Sequence, residues 1–126
     1  MTARLSRLKT RAEFLRVAAA RSRAARPGLV LQAAARPDEP EGELRIGYTA
    51  SKRVGNAAVR NRAKRRLRAA AASVLPLHGR AGTDYVLIAR EGTGARPYAA
   101  LLADLEGALR QLARPQSARQ PRGGDG

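Results

Sequence analysis

Between Arg60 and Arg68 the chain reads Arg-Asn-Arg-Ala-Lys-Arg-Arg-Leu-Arg, six cationic side chains in nine residues. The spacing of the apolar residues around that run limits what it can fold into. At about 100° per residue, Val59, Ala63, Leu67, Ala70 and Val74 fall in one arc of a helix. Arg60, Asn61, Lys64, Arg65 and Arg68 fall in the opposite arc, with Arg62 and Arg66 on one flank. A disordered basic tail would show no such division. A helix that anchors one side in a core and turns guanidinium groups outward is suited to meeting phosphates. The segment therefore reads as a folded RNA- or DNA-binding surface.

The rest of the chain supports a polyanionic partner. Its 25 basic and 10 acidic side chains give a formal charge of +15 in 126 residues. Self-repulsion on that scale opposes compaction, and a bound polyanion relieves it. Arg outnumbers Lys 22 to 3. That bias suits bidentate phosphate contact, and a GC-rich genome would produce the same ratio. The core must be lean, because 27 of the apolar residues are Ala and the only aromatics are Phe14, Tyr48, Tyr85 and Tyr98. Without Cys, disulfides and thiolate metal sites are unavailable, which fits a reducing cytoplasm. No apolar stretch approaches membrane-spanning length, so the expected location is cytoplasmic.

Local signals divide the chain into short elements. Thr10 with Glu13 forms a capping-box pattern that predicts a helix from Thr10 to about Ala20. Arg21 to Arg26 fits a short strand or a basic loop, closed by Pro27-Gly28. Leu29 to Ala33 reads as a strand. A second follows from Leu44 to Ala50, in which Leu44, Ile46, Tyr48 and Ala50 alternate with Arg45, Gly47 and Thr49. The acidic turn between them is short enough to predict antiparallel pairing. Ser51 to Asn56 is a loop whose Asn56 caps the basic helix, and that helix should run to about Val74 and stop before Pro76. Tyr85 to Ala89 is a continuous apolar run, expected of a strand covered on both faces. Tyr98 to Leu112 carries Leu101, Leu102, Leu105, Leu109 and Leu112 at helical spacing. Residues 1–114 make one domain, and Pro115 to Gly126 is a polar tail expected to be disordered. The fold class is α+β: a small two-layer sandwich of a mixed sheet and three helices, in the order α-β-β-β-α-β-α.

A protein active site is hard to assemble from these residues. His78 is the only histidine, placed by Pro76 and Gly79 in a loop. Glu13 is explained as a cap, and the acids from Asp38 to Glu43 as a solvated turn. Neither a GxxxxGK[ST] loop nor a GxGxxG fingerprint occurs, and Gly92-Thr93-Gly94 is too short to serve as one. Phe14 and Tyr48 fit base stacking or core packing equally well.

The segment from Ser51 to Arg68 resembles the signature of the bacterial ribonuclease P protein family. Flanking pieces agree in order: Arg7-Leu8-Lys9 leading to Phe14, Leu29 to Leu31, Leu44 to Gly47, and Asp84 to Arg90. The resemblance implies a ribosomal-S5-domain-2-like sandwich, with a left-handed crossover where the general rule is right-handed. It also implies that catalysis resides in an RNA, with Mg2+ held mainly by that RNA and no catalytic residue in this chain. The implied partners are the ribonuclease P RNA and precursor tRNA, with no membrane and no obligate protein partner. On that resemblance Arg60, Asn61, Arg62, Lys64, Arg65, Arg66 and Arg68 would face the catalytic RNA. A cleft between the first helix and the sheet would take the single-stranded 5′ leader, with Phe14, Gln32, Lys52 and Arg53 as contacts. Relatives often carry aromatics where this chain has Ala18 and Gln32, so leader stacking is expected to be weaker here and Gln32 to hydrogen-bond instead. Two other classes stay open on sequence alone: a structural RNA-binding protein, and a DNA-binding protein that lays Arg60 to Arg68 in a major groove.

Overall fold

The computed structural model describes residues 4–113, so the tail from Pro115 to Gly126 lies outside the described residues. The elements are β1 (Leu5–Arg7), α1 (Arg11–Ala19), β2 (Ser22–Arg26), β3 (Leu29–Ala35), β4 (Leu44–Thr49), a 3-10 turn (Lys52–Val54), α2 (Ala57–His78), β5 (Thr83–Ala89) and α3 (Tyr98–Leu112). This is the expected α+β arrangement of three helices on a mixed sheet, with one strand more than the sequence suggested. β1 is three residues long and pairs in parallel with β4 at the sheet edge, too brief for an alternation pattern to register.

The predicted caps form as read. Thr10 Oγ1 accepts from the Glu13 amide at 3.2 Å, and Glu13 Oε1 accepts from the Thr10 amide at 3.0 Å. The Lys9 amide adds a 2.6 Å bond to the same carboxylate. These backbone donors, Lys9 first and Thr10 second, hold the Glu13 carboxyl below its ordinary range. At α2, Asn56 Oδ1 accepts from the Val59 amide at 2.9 Å. Just before it, Gly55 has φ 149°, a conformation open in practice only to glycine. A Cβ there would sit 2.8 Å from Val59 Cβ.

Two expectations fail. The strand order is β1-β4-β5-β3-β2, so β3 and β4 do not pair. β5 lies between them, antiparallel to β3 and parallel to β4. The connection from Arg36 to Glu43 is long enough to step over one strand at about 4.8 Å spacing. The apolar run of β5 takes the central place because it alone can be covered on both faces. The second failure concerns Pro76, which lies inside α2 rather than beyond its end. Proline removes one amide bond, the one directed at Ala72, and Ala72 is exposed to water. Leu75 is fully buried, and its carbonyl accepts from the Gly79 amide at 2.8 Å. Packing of Leu75 thus carries the helix through proline to His78, which is helical and exposed rather than in a loop.

Alternation assigns each strand residue to a face. Leu29, Leu31, Leu44, Ile46, Tyr85 and Leu87 join Leu67, Leu75, Leu101 and Leu105 in the main core under α2 and α3. Each fully buried leucine contributes about 2 kcal/mol, while Ala63, Ala70 and Ala71 let α2 approach the sheet closely. The leucine stripe of α3 packs inward as expected. On the other face Leu8, Val17, Ala34 and Val86 form a smaller cluster under α1, with Phe14 and Ile88 against it. One nine-residue helix cannot cover a five-stranded sheet, and part of that face stays open.

Candidate nucleic-acid interface

The basic helix presents its charges in an order that differs from the sequence reading. Ala63, Leu67, Ala70, Ala71, Val74 and Leu75 are buried, while Val59 is 38% exposed. Carrying the helix past Val74 and through Pro76 adds Leu75, which with Ala71 turns the buried arc by about 40°. Val59 therefore packs on Gly55 instead of the core. Arg60 and Lys64 are rotated to half-buried flanks, and the Arg60 Nε is buried without a hydrogen-bond partner among the described residues. The arc facing water is centred on Arg65 and includes Asn61, Arg62 and Arg68.

Two of the seven candidates also hold structure. Arg62 Nε donates to the Gly94 carbonyl at 3.2 Å, and Arg66 Nη1 to the Thr93 carbonyl at 2.6 Å. The Gly92-Thr93-Gly94 stretch is an anchor of the fold. The fully buried Thr93 hydroxyl accepts from the Arg90 amide and donates to the Gly28 carbonyl, each at 2.7 Å. Arg62 and Arg66 fasten this loop to α2, and each keeps guanidinium donors beyond the one used.

Of the leader candidates, Phe14 and Gln32 occupy the opposite face. Gln32 is in register with Val86, and Val86 with Gly47, so the three form one row across β3, β5 and β4. The Phe14 ring lies directly on Gly47, where a Cβ would overlap it. Arg23 of β2 is opposite Gln32 and extends the row to the sheet edge. From β4 to β2 the row spans about 14 Å at ordinary strand spacing. It offers an aromatic ring, an aliphatic floor, an amide and a guanidinium, the chemistry of a single-strand track. Arg23 was missed in the sequence, where Arg21 to Arg26 fitted a basic loop equally well. Lys52 and Arg53 stand just past the end of β4 in the 3-10 turn. Buried Val54 anchors that turn and both basic side chains are exposed. Arg53 borders a recess shared with Arg90 and Pro27.

Beside this track sits a buried charge that motif reasoning passed over. Asp84, at the start of β5, is fully buried. Its carboxylate accepts from Arg16 Nη2 at 2.7 Å, Arg36 Nη1 at 2.5 Å, Arg45 Nε at 2.7 Å and Arg45 Nη2 at 2.8 Å. Burial pushes the Asp84 carboxyl up, but bonds from Arg45, Arg16 and Arg36 prevail and hold it at about 2. The same contact, through Asp84, raises Arg45 further. Arg16 belongs to α1, Arg36 follows β3, and Arg45 lies in β4, so one carboxylate ties the helix carrying Phe14 to the sheet. Arg45 Nη1 also meets Glu13 at 3.2 Å.

Comparison with known proteins identifies the whole assembly. The family model described as Ribonuclease P matches residues 2–113. The chain belongs to the ribonuclease P protein family. It is 56% identical over 114 residues to the ribonuclease P protein component of Paramagnetospirillum magneticum, covering 89% of this chain and 86% of that one. It is 51% identical to that of Ruegeria pomeroyi, covering 89% and 90%. The Staphylococcus aureus RNase P protein superposes with a TM-score of 0.69 at 27% identity, over 85% of this chain and 94% of that one. The Thermotoga maritima RNase P protein shares the fold with a TM-score of 0.67 at 22% identity, over 87% and 97%.

As a ribonuclease P protein, the chain is a subunit of the endoribonuclease that removes 5′ leaders from tRNA precursors, and its partner is the ribonuclease P RNA. No helix among the described residues is long and apolar enough to cross a membrane.

Proposed function

We propose that this ribonuclease P protein works as a two-faced adaptor between catalytic RNA and substrate. One face is the exposed arc of α2, with Asn61, Arg62, Arg65 and Arg68 outward and Arg60, Lys64 and Arg66 at its flanks, directed at the ribonuclease P RNA. The other is the row from Phe14 through Val86 and Gln32 to Arg23, directed with Lys52 and Arg53 at the single-stranded leader of precursor tRNA. The observation that carries this division is strand parity. Tyr48 and Ile46 face α2, whereas Gly47 between them faces Phe14, so the two basic surfaces lie on opposite sides of one sheet.

Leader binding on such a row needs little sequence preference, because stacking on Phe14 and charge from Arg23, Lys52 and Arg53 accept any base. Gln32 adds a hydrogen-bonding amide in the middle of the row. On this proposal magnesium ions are held mainly by the RNA. The protein lowers the magnesium requirement by supplying fixed cations where the two RNAs meet. A site of action in the cytoplasm, where tRNA precursors are made, belongs to the same proposal.

The test compares holoenzyme affinity for precursor tRNA with and without its leader. The wild-type protein should favour the leader-bearing form, and Phe14→Ala should erase most of that preference while the holoenzyme still assembles. A preference that survives both Phe14→Ala and Arg23→Ala would contradict the assignment of this face.

A further inference from the structure

The α2 side of the sheet carries a recess of which the two-faced scheme uses only Arg68. Between β1 and α2, Leu5 and Ile46 form an apolar floor, Tyr48 one wall, and Arg68 and Arg7 the rim, with Ala72 closing the end. The volume is about 150 Å3, a size known to admit a single six-membered ring. The Arg68 guanidinium carbon stands 5.4 Å from the centre of the Tyr48 ring. A guanidinium seated over an aromatic ring leaves its other plane available for a second flat group. Burial raises the Tyr48 hydroxyl, and the nearby Arg68 and Arg7 charges oppose that rise. Tyr48 therefore stays neutral and can donate a hydrogen bond as well as accept one.

We infer that this recess receives one unpaired nucleobase of the ribonuclease P RNA, stacked against Arg68 and Tyr48, with Arg7 on the adjoining phosphate. The occupant follows from charge and position. Two guanidinium groups around a flat apolar slot match a base joined to phosphate, and repel a basic peptide. Arg68 and Ala72 lie on the same exposed arc as Asn61 and Arg65, so the recess continues the surface assigned to the catalytic RNA. The leader is excluded by parity, because Tyr48 and Gly47 project to opposite faces. Occupancy by this RNA rests on the assignment of the α2 face above.

Base-specific chemical probing of ribonuclease P RNA, alone and with the protein, tests the inference. One unpaired base should be protected by wild-type protein and by Tyr48→Phe, which keeps the ring. Tyr48→Leu keeps the apolar bulk but loses the stack, and should restore reactivity at that base and weaken RNA binding about tenfold. Arg68→Ala should restore it as well. Circular dichroism would verify that each variant is folded. Identical protection by the wild type, Tyr48→Leu and Arg68→Ala would overturn the inference, as would changes confined to the precursor leader. Normal protection together with pull-down of a protein that requires Tyr48 would also overturn it, in favour of a protein ligand. Failure of the wild-type protein to bind the RNA at all would overturn the α2 assignment itself.

Discussion

At the scale of single residues, Asp84 ties α1, which carries Phe14, to the sheet beneath the proposed leader face. Removing its carboxylate deprives Arg36, Arg45 and the more exposed Arg16 of their shared buried partner. Breaking a buried ion pair in this way costs about 3 to 5 kcal/mol, so Asp84→Ala should be strongly destabilised in urea. The acid response follows from its lowered carboxyl, about 2 against an ordinary 3.8. The folded form binds the proton less well than the unfolded one, so the stabilisation is complete above about pH 4. It is lost as pH falls through 2, and the difference corresponds to about 2 kcal/mol. Asp84→Asn should abolish that part of the acid transition, measured as unfolding free energy between pH 5 and 2. Gly47 sets the height of the Phe14 ring. Gly47→Ala should displace the ring, cost about 1 to 3 kcal/mol by overpacking, and reduce preference for leader-bearing precursor. Asp84 was visible in the sequence only as an acid before an apolar run, since its three arginines come from elements far apart in the chain.

At the scale of elements, the caps of α1 and α2 were legible because a cap needs only side chains three residues apart. The faces of β4 and the stripe of α3 were legible for a similar reason, through their periods of two and of three to four residues. The place of β5 between β3 and β4 was not, since strand order depends on contacts distant in sequence. One misread boundary had a consequence for function. Ending α2 at about Val74, before Pro76, left out Leu75, and the apparent polar arc was turned toward Arg60 and away from Arg65. Arg65, which faces water, and Arg66, which donates to the Thr93 carbonyl, should therefore behave differently. Arg65→Ala should lower RNA affinity and reduce the log–log salt slope by about 1 without changing stability. Arg66→Ala should also loosen the loop from Arg90 to Pro97, because it donates to Thr93, and should lower thermal stability in the free protein. Equal effects of the two substitutions on stability would contradict the rotated arc.

At the scale of the whole molecule, a charge of +15 on a lean core makes folding and RNA binding one linked equilibrium. Arginines engaged with Asp84, Asp104 and the loop carbonyls build the fold, while Arg65, Arg68, Arg53 and Arg23 are left facing outward. Bound RNA at a hundred times its dissociation constant should stabilise the protein by about 2.7 kcal/mol. That gain should shrink as salt weakens binding, so the melting temperature of the complex and of the free protein should converge at high ionic strength. Charge and the basic helix announced a nucleic-acid partner from the sequence. The proposed division between the two RNAs rests on strand parity, which puts Phe14 and α2 on opposite faces.

The central claim is that this protein assists RNA-based cleavage by engaging catalytic RNA and leader together. The most direct measurement is cleavage of a precursor tRNA by ribonuclease P RNA at limiting magnesium, with and without the protein, using substrates with and without a 5′ leader extension. Strong stimulation that fades as the leader is shortened to a single nucleotide is the predicted result. Tight binding to the RNA with no change in cleavage rate, or stimulation indifferent to leader length, would contradict it.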